Sequence, residues 1–421
     1  MFKIRLLIIV PILLVACKSS SKFTGFSYDP PGVANTNDKI TTPQKRRVIG
    51  AGDAKIWVSN EFESARLSDF YQVDENTFEV LIAPENAPIN NSPWFAFKIW
   101  TEIPRAINLR LKYKSGRHRY KPKVFSKVGT MSYAHIINAI EYDTSTGTAS
   151  FPIHITENPQ IISAQFLEEI RFSDLIKKTH GSLPPFVSVD TAGFSPEKRP
   201  ILELTANETS PNISSGVLIL LSRQHPPEVS GYRAYQAFWD ELISDSELAV
   251  NFRSRFIVKA YPMVNPDGVV NGHWRHNKNG IDLNRDWENF NQPETQAIRD
   301  ALLLFQNDTS KKVYYGIDFH STNENIFYPI NEEIVTFPEN LTQRWAEVIK
   351  EQHPEFNFVS EEFDTSSPIA KNWIYKTFGS DAVTFEVNDE LDSSESTNLG
   401  VESARSLMTL LIEEWETANN N

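Results

Sequence analysis

Two histidines and one carboxylate in this chain stand where a single divalent cation could collect them. His225 and Glu228 lie three residues apart, just after the apolar run 217–221, in Ser222-Arg223-Gln224-His225-Pro226-Pro227-Glu228. His320 follows a second apolar run, 313–319, inside Asp318-Phe319-His320-Ser321. Two nitrogen donors and one oxygen donor, with a fourth position for water, suit a catalytic zinc ion. Such an ion lowers the pKa of its water towards neutrality. Pro226 and Pro227 tighten the turn into the following helix, so imidazole and carboxylate converge. HxxE alone is a weak signal, and most isolated histidines only pack or cap; the weight rests on conjunction. Arg275, the run Asp282-Leu283-Asn284-Arg285, and Glu386 in Thr384-Phe385-Glu386 complete it. Arginine and asparagine suit an oxyanion or a carboxylate, and a downstream acid suits proton transfer.

Elements that could position these groups are legible on both sides. From 48 to about 155 the chain is β-branched and aromatic, with short alternating runs at 78–82, 94–100 and 107–113. Turn residues separate the runs at sandwich spacing, which predicts a small antiparallel β-sandwich. After about 158 strands alternate with helices. Strands are predicted at 201–204, 217–221, 254–261, 312–318 and 381–387, and helices at 227–244, 293–305, 342–352 and 403–417. That alternation implies an α/β fold with a mixed central sheet flanked by helices and ligands at the strand carboxyl ends. The predicted division is 46–160 for the β-sandwich and 161–421 for the catalytic domain.

The order HxxE, Arg, D-x-N-R, His-Ser and a glutamate after an apolar strand resembles the zinc carboxypeptidases of the carboxypeptidase A family. His225 and Glu228, Arg275, Asp282 to Arg285, His320-Ser321 and Glu386 carry it, over roughly residues 165–417. Asn265-Pro266-Asp267-Gly268 and Trp274-Arg275 extend it. The β-rich part, with Trp94-Phe95-Ala96-Phe97, resembles the domain ahead of the catalytic unit in cytosolic-carboxypeptidase-like members. The resemblance implies one Zn2+ held by His225, Glu228 and His320, and peptide C-termini as substrates. It implies that Arg275 polarises the scissile carbonyl and holds the oxyanion. Asn284 and Arg285 would grip the free terminal carboxylate, Arg285 bidentately. Asp282 would accept a hydrogen bond from His225. Glu386 would carry a proton from water to the leaving amine.

Two features depart from the family pattern. No tyrosine stands where the classical members carry a mobile one, since Tyr375 lies only 11 residues before Glu386. Lys371 and Lys376 fall where the family forms its specificity pocket; a lysine there favours an acidic terminal residue, and solvated loop lysines are the plainer alternative. The segment 323–328 follows the third ligand and is expected to line the groove, with Phe327 and Tyr328 either there or in the core. Desuccinylases and aspartoacylases, which act on small N-acyl amino acids, look similar too. The place of Arg275 and the preceding β-rich part favour a peptide substrate. A non-catalytic binding module is disfavoured, because no expected ligand or acid is missing.

Composition sets the surroundings. A formal net charge of -13 leaves no basic excess for nucleic acid. Cys17 is the sole cysteine, so no intrachain disulfide forms. It follows a basic start, an apolar run at 6–15 and Leu14-Val15-Ala16. The ending resembles a bacterial lipobox, so 1–16 is expected to be a lipoprotein signal peptide and Cys17 the lipidated residue. Residues 17–45, rich in Ser, Thr, Asn and Pro, would then tether the body to a membrane of the bacterial cell envelope, with Lys18 leaning towards the outer one. Cell-wall peptides and protein tails are both within reach there.

Overall fold

The computed structural model describes residues 39–419, apart from 129, 211–214 and 363. The expected signal peptide, Cys17 and the tether up to residue 38 lie outside the described residues. Among the described residues no helix is long and apolar enough to cross a membrane.

The β-rich part forms two sheets. One runs in the order Val48–Ala51, Ile56–Ser59, Ala96–Thr101, Gln160–Ser163, Lys123–Val128, Met131–Ile136, and every pairing in it is antiparallel. The other runs Asp69–Gln72, Thr77–Ile82, Arg105–Tyr113, Thr148–Ile155, Glu141–Asp143. In Arg105–Tyr113 every second residue from Ile107 to Tyr113 is buried, as period-two alternation demands. Those residues join Phe97, Ile99 and Val124 of the first sheet in one core. One pairing departs from an all-antiparallel sandwich: Thr77–Ile82 runs parallel to Arg105–Tyr113. Between them the chain crosses to the other sheet as Ala96–Thr101 and returns, and a crossover, unlike a hairpin, restores strand direction.

The second part is built on one eight-stranded mixed sheet, ordered Val187–Phe194, Pro200–Ala206, Phe256–Tyr261, Ser215–Ser222, Lys311–Thr322, Asp381–Asn388, Ile326–Tyr328, Val359–Ser360. The central strands Ser215–Ser222, Lys311–Thr322 and Asp381–Asn388 are mutually parallel. Every residue of Ser215–Ser222 is buried because both faces are covered. Leu218 and Leu220 meet Tyr232, Tyr235 and Phe238 of the helix Val229–Leu242, while Val217, Ile219 and Leu221 share a second core with Trp287, Trp373 and Ile374. Parallel strands bring their carboxyl ends to one edge, so His225 and the ends of the two neighbouring strands meet there.

Candidate metal centre and active site

Ser215–Ser222 stops at Arg223, whose left-handed backbone (φ 58°) turns the chain. His225 follows in the turn, and Glu228 is the N-cap residue of Val229–Leu242. Its carboxylate caps nothing and leaves the helix's first amides in need of acceptors. One acceptor comes from the neighbouring strand: Ser321 Oγ accepts the Gly231 N–H at 2.8 Å. That contact demands a glycine, since a Cβ at position 231 would lie 2.1 Å from the His320 carbonyl oxygen. The serine beside the histidine thus seats the helix that delivers Glu228.

His225, Glu228 and His320 offer donor atoms that all lie within 4.8 Å of one another. His225 Nδ1 is 2.8 Å from Glu228 Oε1, and His320 Nδ1 is 2.7 Å from Glu228 Oε2. The far nitrogens are engaged as well. His225 Nε2 meets Asp282 Oδ1 at 2.9 Å, and His320 Nε2 meets Asp318 Oδ2 at 2.7 Å. An imidazole that donates its Nε2 hydrogen to an aspartate turns a bare Nδ1 lone pair inward. Two such lone pairs facing one carboxylate repel unless a proton or cation lies among them. The donor set therefore fits a zinc ion, with both aspartates fixing the tautomers. The electrostatics agree in direction. Burial pushes Glu228 up, but the two imidazoles more than cancel it and hold the carboxyl below its ordinary range. Burial lowers His320, yet Asp318 and Glu228 lift it well above the ordinary histidine range.

Glu386 stands opposite His320 on the adjacent parallel strand. Neighbouring strands are about 4.8 Å apart, so its side chain rises beside the histidine pair. Its Oε2 is buried without a partner. Burial and then the Glu228 carboxylate push it up to about 7; a cation among the three donors would draw it back down. Arg275 Nε donates to Asp282 Oδ2 at 2.7 Å, so Asp282 links Arg275 to His225. Burial raises Asp282, but Arg275 and His225 outweigh it and depress the carboxyl strongly. The Asn284 side chain accepts the Ala370 N–H at 3.0 Å, and its Nδ2 lies 3.2 Å from His320 Nε2. Arg285, next in the chain, donates through Nη1 to the Asn284 carbonyl at 2.8 Å.

The structure brings eight of the singled-out residues to one edge of the sheet: His225, Glu228, Arg275, Asp282, Asn284, Arg285, His320 and Glu386. Cys17 lies outside the described residues. Lys376 is away from this cluster, exposed and reaching the Ser366 carbonyl at 3.4 Å. Lys371 is fully buried rather than solvated, and its Nζ donates to the Pro329 carbonyl at 2.7 Å. Phe327 is core. Tyr328 is half-buried, and burial followed by the Glu386 charge pushes its phenol up to about 12. Asp318 has no role that its place in the sequence indicates; alternation puts it on the same strand face as His320. Gln224 Nε2 donates to Asp318 Oδ2 at 2.7 Å, and Gln224 Oε1 accepts the Trp287 indole N–H at 2.9 Å. Asn265-Pro266-Asp267-Gly268 is structural: Asn265 caps a short helix, and buried Asp267 accepts from Ser195 and Arg199.

Known proteins of similar shape include a metallo-carboxypeptidase from Burkholderia cenocepacia, 18% identical with a TM-score of 0.67 over 85% of this chain and 99% of that one. Another is a metallo-carboxypeptidase from Pseudomonas aeruginosa, solved with (2-guanidinoethylmercapto)succinic acid, 18% identical with a TM-score of 0.64 over 85% and 99%. These likenesses show the fold. In sequence, cytosolic carboxypeptidase 6 of Caenorhabditis elegans is 23% identical over 70% of this chain and 68% of its own length. Cytosolic carboxypeptidase 1 of Mus musculus is 32% identical over 69% of this chain, which spans only 27% of that longer protein. The zinc carboxypeptidase family model matches residues 172–393, just over half of the chain, and favours that family over the desuccinylase alternative. The matched segment carries the two imidazoles, the shared carboxylate and Glu386, and by that match the chain belongs to the zinc carboxypeptidase family.

Proposed function

We propose that this protein is a zinc-dependent metallocarboxypeptidase that hydrolyses the C-terminal amide bond of peptides. One observation carries the reading: two imidazoles, each tied by Nε2 to an aspartate, face the two oxygens of a single carboxylate. When bound at His225, Glu228 and His320, zinc would acidify a water and polarise the scissile carbonyl. Glu386, half-buried with one buried and partnerless oxygen, accepts the proton of the attacking water and returns it to the leaving amine. Arg275, its Nε held by Asp282, offers its terminal nitrogens to the developing oxyanion. Arg285 and Asn284 orient the substrate's terminal carboxylate.

The leader and Cys17 support a lipid-anchored protein of the bacterial cell envelope, on the outer membrane or facing the periplasm. Substrates would be peptide or protein C-termini there, cell-wall peptides included. That setting differs from the "cytosolic" in the names of its relatives.

The purified zinc form, offered free and C-terminally amidated versions of one peptide, is expected to shorten only the free one, read by mass spectrometry. Cleavage of N-succinylglutamate with no shortening of any peptide would overturn the reading. For the anchor, Cys17→Ala is expected to abolish incorporation of labelled fatty acid; continued labelling would refute it.

A further inference from the structure

Glu85 belongs to the β-rich part, 190 residues before Arg275, and is fully buried. Its carboxylate accepts three successive backbone N–H groups: Trp274 at 2.7 Å, Arg275 at 3.0 Å and His276 at 2.9 Å. The Trp274 indole N–H donates at 3.0 Å to the Trp94 carbonyl, also in the β-rich part. Three amides on one anion fix the backbone around Arg275 and so the direction of its Cα–Cβ bond. The other end of the side chain is pinned by Asp282. Burying a carboxylate is costly, and charge-assisted bonds from fixed donors offset that cost while making a stiff anchor. A carboxylate is not needed merely to close a loop, which neutral carbonyls do throughout this fold.

We propose that Glu85 is a positioning residue for Arg275, and that the β-rich part is therefore a component of the active site rather than only a wall beside it. The proposal rests on the oxyanion role given to Arg275 above. Oxyanion stabilisation needs donors placed before the reaction begins, so a loosened Arg275 loop lowers kcat more than it raises KM.

The test is a double-substitution cycle on the full chain, with kcat and KM from release of a C-terminal residue, and zinc content and Tm measured alongside. Glu85→Gln is expected to lower kcat by about tenfold with KM within about twofold and zinc retained. On an Arg275→Ala background the same substitution is expected to change kcat less than about twofold, because the group it aims is gone. An equal loss on both backgrounds, or an unchanged kcat, would overturn the proposal. Should Glu85→Gln fail to fold, Glu85→Asp is read on both backgrounds by the same criteria. If Arg275→Ala alone leaves kcat intact, the oxyanion assignment fails instead, so the two failures are distinguishable.

Discussion

Two pairs of histidines are buried in this molecule beside a buried glutamate, and their surroundings differ in one respect. His225 and His320 flank Glu228, whose side chain receives no backbone donor. His273 and His276 accompany Glu85, whose oxygens accept three backbone amides, with His276 Nδ1 a further 3.3 Å from Oε1. His273 Nδ1 meets the His276 carbonyl at 2.9 Å instead of the carboxylate. Residue type, burial and proximity are alike in both regions. What separates a cation site from a structural anchor is whether the carboxylate's lone pairs are already used.

The sharpest break of this comparison is metal content. His320→Ala is expected to drop zinc below about one tenth of an equivalent after dialysis and to cut activity at least about a thousandfold, whereas His276→Ala keeps its zinc. Elemental analysis decides it; stoichiometric zinc in the first, or loss in the second, would reverse the assignment. Next in size, Glu386→Gln is expected to keep the metal and lower kcat by about 10²- to 10⁴-fold, checked by steady-state kinetics on zinc-loaded protein.

A smaller effect sharpens the role of the aspartates. Asp318→Asn keeps the shape but accepts the His320 hydrogen bond more weakly, and zinc affinity is expected to fall by about 10- to 100-fold in a chelator competition. An unchanged affinity would reduce Asp318 to packing. The smallest effect concerns Lys371, a buried cation whose donors are taken up by backbone carbonyls. Burial lowers its pKa from 10.5 to about 7. Between those values the unfolded chain carries a proton that the folded one lacks, so stability rises with pH, by at most about 1.4 kcal/mol per unit. Lys371→Met is expected to flatten that rise in urea titrations from pH 7 to 10; an unchanged slope would show that the lysine stays charged.

Much of the scaffold was legible because strand and helix periodicities are local. The predicted strand at 217–221 is the observed Ser215–Ser222, and the predicted helix at 342–352 is Leu341–Gln352. Val187–Phe194 escaped because it is an edge strand with no fully buried residue, and its Val187-Ser188-Val189-Asp190 alternation is too short and breaks at the irregularity near Thr191. Ala370–Phe378 escaped because it is only nine residues long and Lys371 and Asn372 sit among its buried residues, which masks the apolar face formed by Ala370, Trp373 and Ile374. The last helix starts at Ser393 rather than 403, through a serine- and asparagine-rich turn that only packing and the Asp392–Glu395 cap hold helical. At the site, the donor residues were readable from their order, and Asp318 was not, since one aspartate before a histidine has no distinguishing spacing.

Residue order alone determined which chemical groups this protein can bring to a site, and period-two and period-3.6 patterns determined most of the elements that carry them. Tertiary structure decided which of those groups remain available. Asp282 reaches His225 across 57 residues, Glu228 reaches His320 across 92, and Glu85 reaches the Arg275 loop across 190. A carboxylate's remaining lone pairs depend on donors that the chain folds around it from such distances, and no local pattern records them.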